Sequence, residues 1–160
     1  MRNTLLKLFV GVATILPLAH VQAEDFDPKT PVTELTITTD TTTFAYDIKE
    51  FTVKAGTTLK LTLVVPEGGV NQAHNLVIAD LGKEAVLMQQ AMAMMADPKA
   101  LESGYIPEDK SSLVGYTTLL QPGSTEEFEI EIPEAAGDYQ YICTFPGHFA
   151  LMKGIMHVVE

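Results

Sequence analysis

Three donors of different character fall close together near the C-terminus: the thiol of Cys143, the imidazole of His148 and the thioether of Met152. They are spaced C-x4-H-x3-M. A second imidazole, His74, lies far upstream in Asn71-Gln72-Ala73-His74-Asn75, at the start of the apolar run Leu76-Val77-Ile78. Two imidazoles and a thiolate in a trigonal plane, with a weak axial thioether, form a donor set suited to electron-transfer copper. Thiolate and imidazole accept both Cu(II) and Cu(I), so a site built from them changes little when an electron moves. A distant thioether disfavours hard ions such as Mg2+ or Ca2+. Zinc is the rival on affinity, but structural zinc sites usually take four Cys or His ligands, and catalytic ones keep an open position beside an acid/base partner.

Taken singly, each residue has a plainer reading. His74 could be a strand-end histidine, His148 a loop residue, Met152 core and Cys143 inert packing. The combination and its spacing carry the signal. Cys143 is the only cysteine, so no internal disulfide can form, and a lone thiol in an oxidising compartment must be buried or bound.

The elements that must position these donors read mostly as strands. Leu35 and Ile37, then Leu59, Leu61 and Leu63, then Phe128, Ile130 and Ile132, alternate with polar residues, the mark of half-buried strands. Turn residues separate the runs at Ala55-Gly56, Pro66-Glu67-Gly68-Gly69, Pro122-Gly123 and Ala136-Gly137-Asp138. A strand delivers Cys143, a tight loop through Pro146-Gly147 presents His148 and Met152, and a last strand begins at Lys153. In that strand His157 falls between Met156 and Val158, which face the core, so it points outward and is not a ligand. The expected fold is all-β, a two-sheet Greek-key sandwich with one short helical insertion. The insertion covers residues 83–96, rich in Ala, Met, Leu, Gln and Glu, and stops before Pro98. Met88, Met92 and Met95 share one helical face. That face is expected to pack as core, with a Cu(I)-binding methionine patch as the sharper alternative.

The N-terminus reads as an export signal, residues 1–23. Arg2 and Lys7 precede a short apolar run over residues 8–18, and Val21-Gln22-Ala23 offers small residues for cleavage. Residues 24–160 then form a single domain. The apolar run is too short to span a bilayer, and no other stretch is a candidate for membrane insertion. The whole chain carries a net charge of −11 at pH 7, and loss of Arg2 and Lys7 leaves eight lysines, no arginine and all 21 acidic residues. Such a surface repels nucleic acid and anionic membranes, and it fits either a solvated coat or steering toward a basic partner.

The stretch Cys143-Thr-Phe-Pro-Gly-His148-Phe-Ala-Leu-Met152-Lys-Gly closely resembles the copper-ligand loop of the azurins, in the cupredoxin family. Plastocyanins have a shorter Cys-to-His gap. The preceding Tyr-x-Tyr-Ile-Cys is similar to the auracyanins, which carry one more residue before the Met. The likeness extends more loosely over Phe51-Thr-Val-Lys-Ala-Gly and His74-Asn75, so it spans most of residues 51–160, while residues 24–50 match only in strand character.

The resemblance implies one type 1 copper with His74, Cys143 and His148 as equatorial ligands and Met152 as the axial one. The Ala73 carbonyl takes the place of a glycine carbonyl in azurins as a weak fifth contact. Asn75 ties the His74 segment to the Cys143 loop, and the Phe145 and Asn75 amides donate toward the sulfur. Azurins carry an N-terminal disulfide that this chain cannot form, so packing and pairing must hold its first strand. His148 is expected to reach the surface through an apolar patch of Pro146, Gly147, Phe149 and Ala150, where redox protein donors and acceptors dock. On this expectation a charge at Phe149 slows partner exchange and leaves the colour intact.

The implied function is one-electron shuttling in the bacterial periplasm by a non-enzymatic monomer. With His74, His148 and His157 as the only histidines after residue 23, no further copper cluster of an oxidase can be built. The methionine helix motivates the alternative of a copper chaperone or buffer. A third reading is a binding module with an empty site, which tolerates Cys143→Ser.

Overall fold

The structure, a computed structural model, describes residues 26–69 and 71–160. The export signal expected over residues 1–23 lies outside the described residues.

Among the described residues, eight strands and one helix follow in the order β1 (Glu34–Thr38), β2 (Glu50–Lys54), β3 (Thr58–Val65), β4 (Val77–Ala79), α1 (Glu84–Met94), β5 (Leu113–Tyr116), β6 (Ser124–Glu131), β7 (Gly137–Ile142) and β8 (Lys153–Val159). A three-stranded sheet, β1-β3-β6, faces a five-stranded sheet, β2-β8-β7-β4-β5. Only the β4–β5 and β7–β8 connections join neighbours within a sheet, and the others cross between the sheets. This is a Greek-key sandwich.

Alternation in the sequence sets which face each strand buries. Leu59, Leu61, Leu63 and Val65 of β3 are buried while the residues between them stay partly exposed. In the antiparallel β3–β6 pair, Leu61 sits opposite Phe128 and Leu59 opposite Ile130. Each such side chain contributes roughly 1.5–3 kcal/mol on burial. Without a disulfide, β1 is held by its parallel register on β3, from Glu34 opposite Lys60 to Thr38 opposite Val64. Leu35 and Ile37 drive its inner face into the core.

Strand β4 and the end of β7 at Tyr141 and Ile142 are buried on both faces because a second apolar layer covers the outer side of the five-stranded sheet there. Ile78, Tyr141 and Cys143 belong to the core between the sheets. Val77, Ala79 and Ile142 point the other way, into a cluster with Leu87 and Ala91 of α1, Ile106 and Phe149. The helix therefore lies on the flank of the sandwich.

Two expectations about the insertion change. The helix ends at Met94, short of residue 96, in a series of turn bonds that includes Met95 N–H to Met92 O at 3.3 Å. The methionine face is also not the packed face. Leu87 and Ala91 are buried and Met88 flanks them, whereas Met92 is 55% and Met95 51% exposed. The buried stripe is Leu87 and, one turn on, Ala91, narrower than the methionines suggest.

One glycine shapes the β7–β8 pair. Gly154 lies opposite Tyr141, and a Cβ there would stand 2.2 Å from the Tyr141 ring and hydroxyl and 2.6 Å from the Lys49 carbonyl. The ring crosses the glycine so that its hydroxyl donates to the Ile48 carbonyl at 2.6 Å.

Candidate metal centre

Strand β7 ends at Ile142 and hands Cys143 to a loop that closes on itself. The Cys143 N–H donates to the Met152 carbonyl at 3.0 Å, so the loop's two ends are fastened together. Within it, the His148 N–H donates to the Phe145 carbonyl at 3.0 Å, with Pro146 and Gly147 between them and Gly147 at φ +83°. That is the composition and bonding of a type II turn, in which proline presets the second position and glycine supplies the positive φ of the third. The Met152 N–H then bonds the His148 carbonyl at 2.8 Å, winding one further turn that carries Met152 inward.

His74 arrives from the other side of the site. Its N–H donates to the Leu120 carbonyl at 2.9 Å and its carbonyl accepts from the Leu120 N–H at 2.8 Å, a two-bond bridge just before β4. Asn75 locks this segment to the Cys143 loop. Its side-chain oxygen accepts from the Thr144 N–H at 2.8 Å, and its amide donates to the Thr144 hydroxyl at 2.8 Å and the Gly104 carbonyl at 3.1 Å. Tyr46, fully buried, donates from its hydroxyl to the Asn75 carbonyl at 2.6 Å.

These constraints bring His74, Cys143 and His148 together, all buried, with their potential ligand atoms within 4.8 Å of one another. Cys143 Sγ lies 3.5 Å from His148 Nδ1 and 3.9 Å from His74 Nδ1. Donors about 2.0–2.3 Å from a shared ion, in a trigonal plane, stand about 3.5–4 Å apart. The donor set therefore fits one metal ion in spacing as well as in chemistry. Met152 is fully buried in the same core cluster as Cys143, and Ala73 is buried beside His74.

Burial dominates the electrostatics. It pushes the Cys143 thiol up to about 11, against the opposing pull of hydrogen bonds from the Asn75 and Phe145 backbone N–H groups to the sulfur. Burial lowers the His74 imidazole, and burial followed by the proximity of His74 lowers His148 to about 4. At neutral pH both imidazoles thus keep a lone pair free, and the thiol keeps its proton until a cation displaces it.

The surface around His148 differs from expectation. His148 is 2% exposed and Phe149 7%. Phe149 is not part of an exposed patch, because it turns under the loop into the cluster beneath α1. The outer edge of His148 is covered by residues that the sequence did not single out for this role. Phe44 stacks on the ring with centroids 4.3 Å apart and an interplanar angle of 27°, and Gln72 Oε1 lies 2.7 Å from His148 Nε2. Phe145 packs on the same imidazole at 4.8 Å. Gly104 and Tyr105, from the connection between α1 and β5, also reach the centre through carbonyls that accept from Asn75 and Thr144. No ligand type or spacing marks these residues. Only the resemblance of His74-Asn75 to its family hinted at Asn75. His157 is partly exposed in β8, where its Nδ1 lies 2.7 Å from Asp138 Oδ1, far in role from the centre.

The copper binding proteins of the plastocyanin/azurin family match residues 33–159. Auracyanin-A of Chloroflexus aurantiacus is 36% identical over 69% of this chain, a match that spans 64% of that relative's length. Azurin-1 of Alcaligenes xylosoxydans xylosoxydans is 31% identical over 74% of this chain and 84% of its own. Among solved structures, a reduced auracyanin from Roseiflexus castenholzii superposes with a TM-score of 0.70 at 33% identity, covering 82% of this chain and all of that one. The chain belongs to the plastocyanin/azurin family of copper binding proteins, and copper is its cofactor. The match starts at residue 33, so the likeness takes in β1 as well.

Proposed function

We propose that this protein is a type 1 copper electron carrier. His74 Nδ1, Cys143 Sγ and His148 Nδ1 would hold the copper, with the Met152 thioether as the fourth donor. The observation that carries the reading is the buried convergence of two imidazoles and one thiol at trigonal spacing. Bound copper supplies a one-electron Cu(II)/Cu(I) couple. The protein's part is to hold the donors still. The Asn75–Thr144 bonds and the Cys143–Met152 closure keep the ligand positions fixed whether or not the charge at the centre changes. The amides of Asn75 and Phe145 stabilise negative charge on the sulfur. With every donor supplied by the protein, no position is open for a substrate, so the carrier is not an enzyme.

Electrons enter and leave at the His148 end. There Gly147 and Ala150 are exposed and Leu151 is 71% exposed, an apolar rim suited to brief contact with redox proteins, with the acidic surface steering basic ones. Residues 1–23 direct export to the periplasm, where residues 24–160 act as a monomeric single domain. Among the described residues no helix is long and apolar enough to cross a membrane.

The deciding measurement is the visible absorption and EPR spectrum of the purified protein with Cu(II). An intense blue band with narrow copper hyperfine splitting is expected, and it disappears in Cys143→Ser. A pale protein with an ordinary tetragonal signal overturns the reading.

The exposure of Met92 and Met95 favours one second reading, a copper chaperone or buffer that uses soft surface thioethers. Replacing both by Gln separates the two. A carrier keeps one copper per chain through repeated redox cycles, whereas a chaperone loses copper delivery to an acceptor.

A further inference from the structure

Two residues from separate segments meet on the outer edge of His148. Gln72 places its side-chain oxygen 2.7 Å from Nε2, and Phe44 stacks on the ring at 4.3 Å. Phe44 is itself held firmly. It sits in a turn closed by the bridge of Thr39 and Tyr46 and by Asp40, whose carboxylate accepts from the Thr42 and Thr43 amides at 2.7 Å each. The Asp40 N–H also donates to the Ala45 carbonyl at 2.9 Å.

The direction of the Gln72 bond follows from the other side of the ring. Nδ1 faces the Cys143 sulfur at 3.5 Å, so it must present a lone pair to a metal. A neutral imidazole with a free Nδ1 carries its proton on Nε2, and that N–H donates to the Gln72 oxygen. We propose that Gln72 is a positioning residue of the copper centre: it holds His148 in the metal-accepting tautomer before copper arrives, and with Phe44 it fixes the ring plane and closes its edge to solvent. The inference rests on the assignment of His148 as a ligand.

Gln72 is exposed, so its replacement is expected to leave the fold intact. The test is nitrogen-15 NMR of the His148 ring in the metal-free protein at about pH 8, where a free imidazole is neutral. The wild-type protein should show a protonated Nε2, a bare Nδ1 and slow exchange of the Nε2 proton. Gln72→Leu should exchange that proton about tenfold faster and admit the other tautomer, and it should take up Cu(II) about fivefold more slowly. Gln72→Glu, which still accepts the bond, should keep the slow exchange. Unchanged exchange and uptake in Gln72→Leu overturn the proposal. The blue band separates this outcome from failure of the functional reading. If wild-type protein with Cu(II) is not blue, the carrier assignment falls. If it is blue and Gln72→Leu matches it in proton exchange and uptake, only the role of Gln72 falls.

Discussion

The Thr144 N–H donates to the Asn75 side chain at 2.8 Å, joining the residue after Cys143 to the residue after His74 across 69 positions of sequence. The two partners are fully buried, and the Asn75 amide spends its own hydrogens on Thr144 and Gly104. Asn75→Leu should therefore cost about 2–4 kcal/mol, because it leaves the buried Thr144 N–H without a partner and removes the bond to the partly buried Gly104 carbonyl. Urea unfolding of the metal-free protein measures it. In the copper form the same change should broaden the hyperfine pattern as the His74 and Cys143 segments loosen, and a loss below 1 kcal/mol with an unaltered spectrum contradicts the account.

Phe149 offers a different kind of test. It is 7% exposed and packed beneath α1, so its truncation acts on stability. Phe149→Ala should cost about 3 kcal/mol, and Phe149→Glu more. A docking residue would behave oppositely, with full stability and slower exchange with redox partners.

Metal binding should be tied to a single proton. The Cys143 thiol, pushed up by burial to about 11, is protonated at neutral pH, while His148, lowered to about 4, is not. Copper binding near pH 7 should therefore release about one proton, read in weakly buffered solution or by calorimetry in buffers of different ionisation enthalpy. The sign follows directly: falling pH favours the protonated thiol and weakens binding, by about tenfold per pH unit. On further acidification His74, and below about pH 4 His148 as well, compete for protons and the dependence steepens. Release of two protons at pH 7 would mean that an imidazole is still charged there.

Gly154 should tolerate no side chain. A Cβ at that position would meet the Tyr141 ring at 2.2 Å and the Lys49 carbonyl at 2.6 Å, and backbone cannot step aside. Gly154→Ala should destabilise by roughly 3 kcal/mol through displacement of Tyr141 and loss of its bond to Ile48. Combining it with Tyr141→Phe should not recover the loss, since the ring remains; Tyr141→Leu should recover part of it. Thermal unfolding of the three variants decides.

Much of this molecule was legible in local pattern. Period-two alternation in β1, β3 and β6 identified the inner faces of strands, because a sheet face is either buried or wet and the pleat repeats every second residue. The same rule was silent for β5, whose four residues are all partly exposed, and for β4, whose three are all buried. Those strands lie where a second layer or an edge removes the contrast between faces. The methionines of the insertion misled for a related reason: an apolar helical face is visible in sequence, but which apolar residues turn inward is set by packing, which buries Leu87 and Ala91 and leaves Met92 and Met95 exposed.

The loop from Cys143 to Met152 is a local object. Three of the donors, its Pro146-Gly147 turn and its closing bond all belong to one short stretch, so residue types and spacing made it legible, and with the distant His74 and the family resemblance they pointed to copper. What surrounds His148 was decided only by the tertiary structure. Phe44 and Gln72 come from separate segments and carry no donor spacing, and Phe149 reads in sequence as an exposed neighbour of His148 until the helix covers it. The physical reason is that a ligand's identity is a matter of its own atoms, whereas its cover, its tautomer and its route to solvent depend on side chains brought against it by packing.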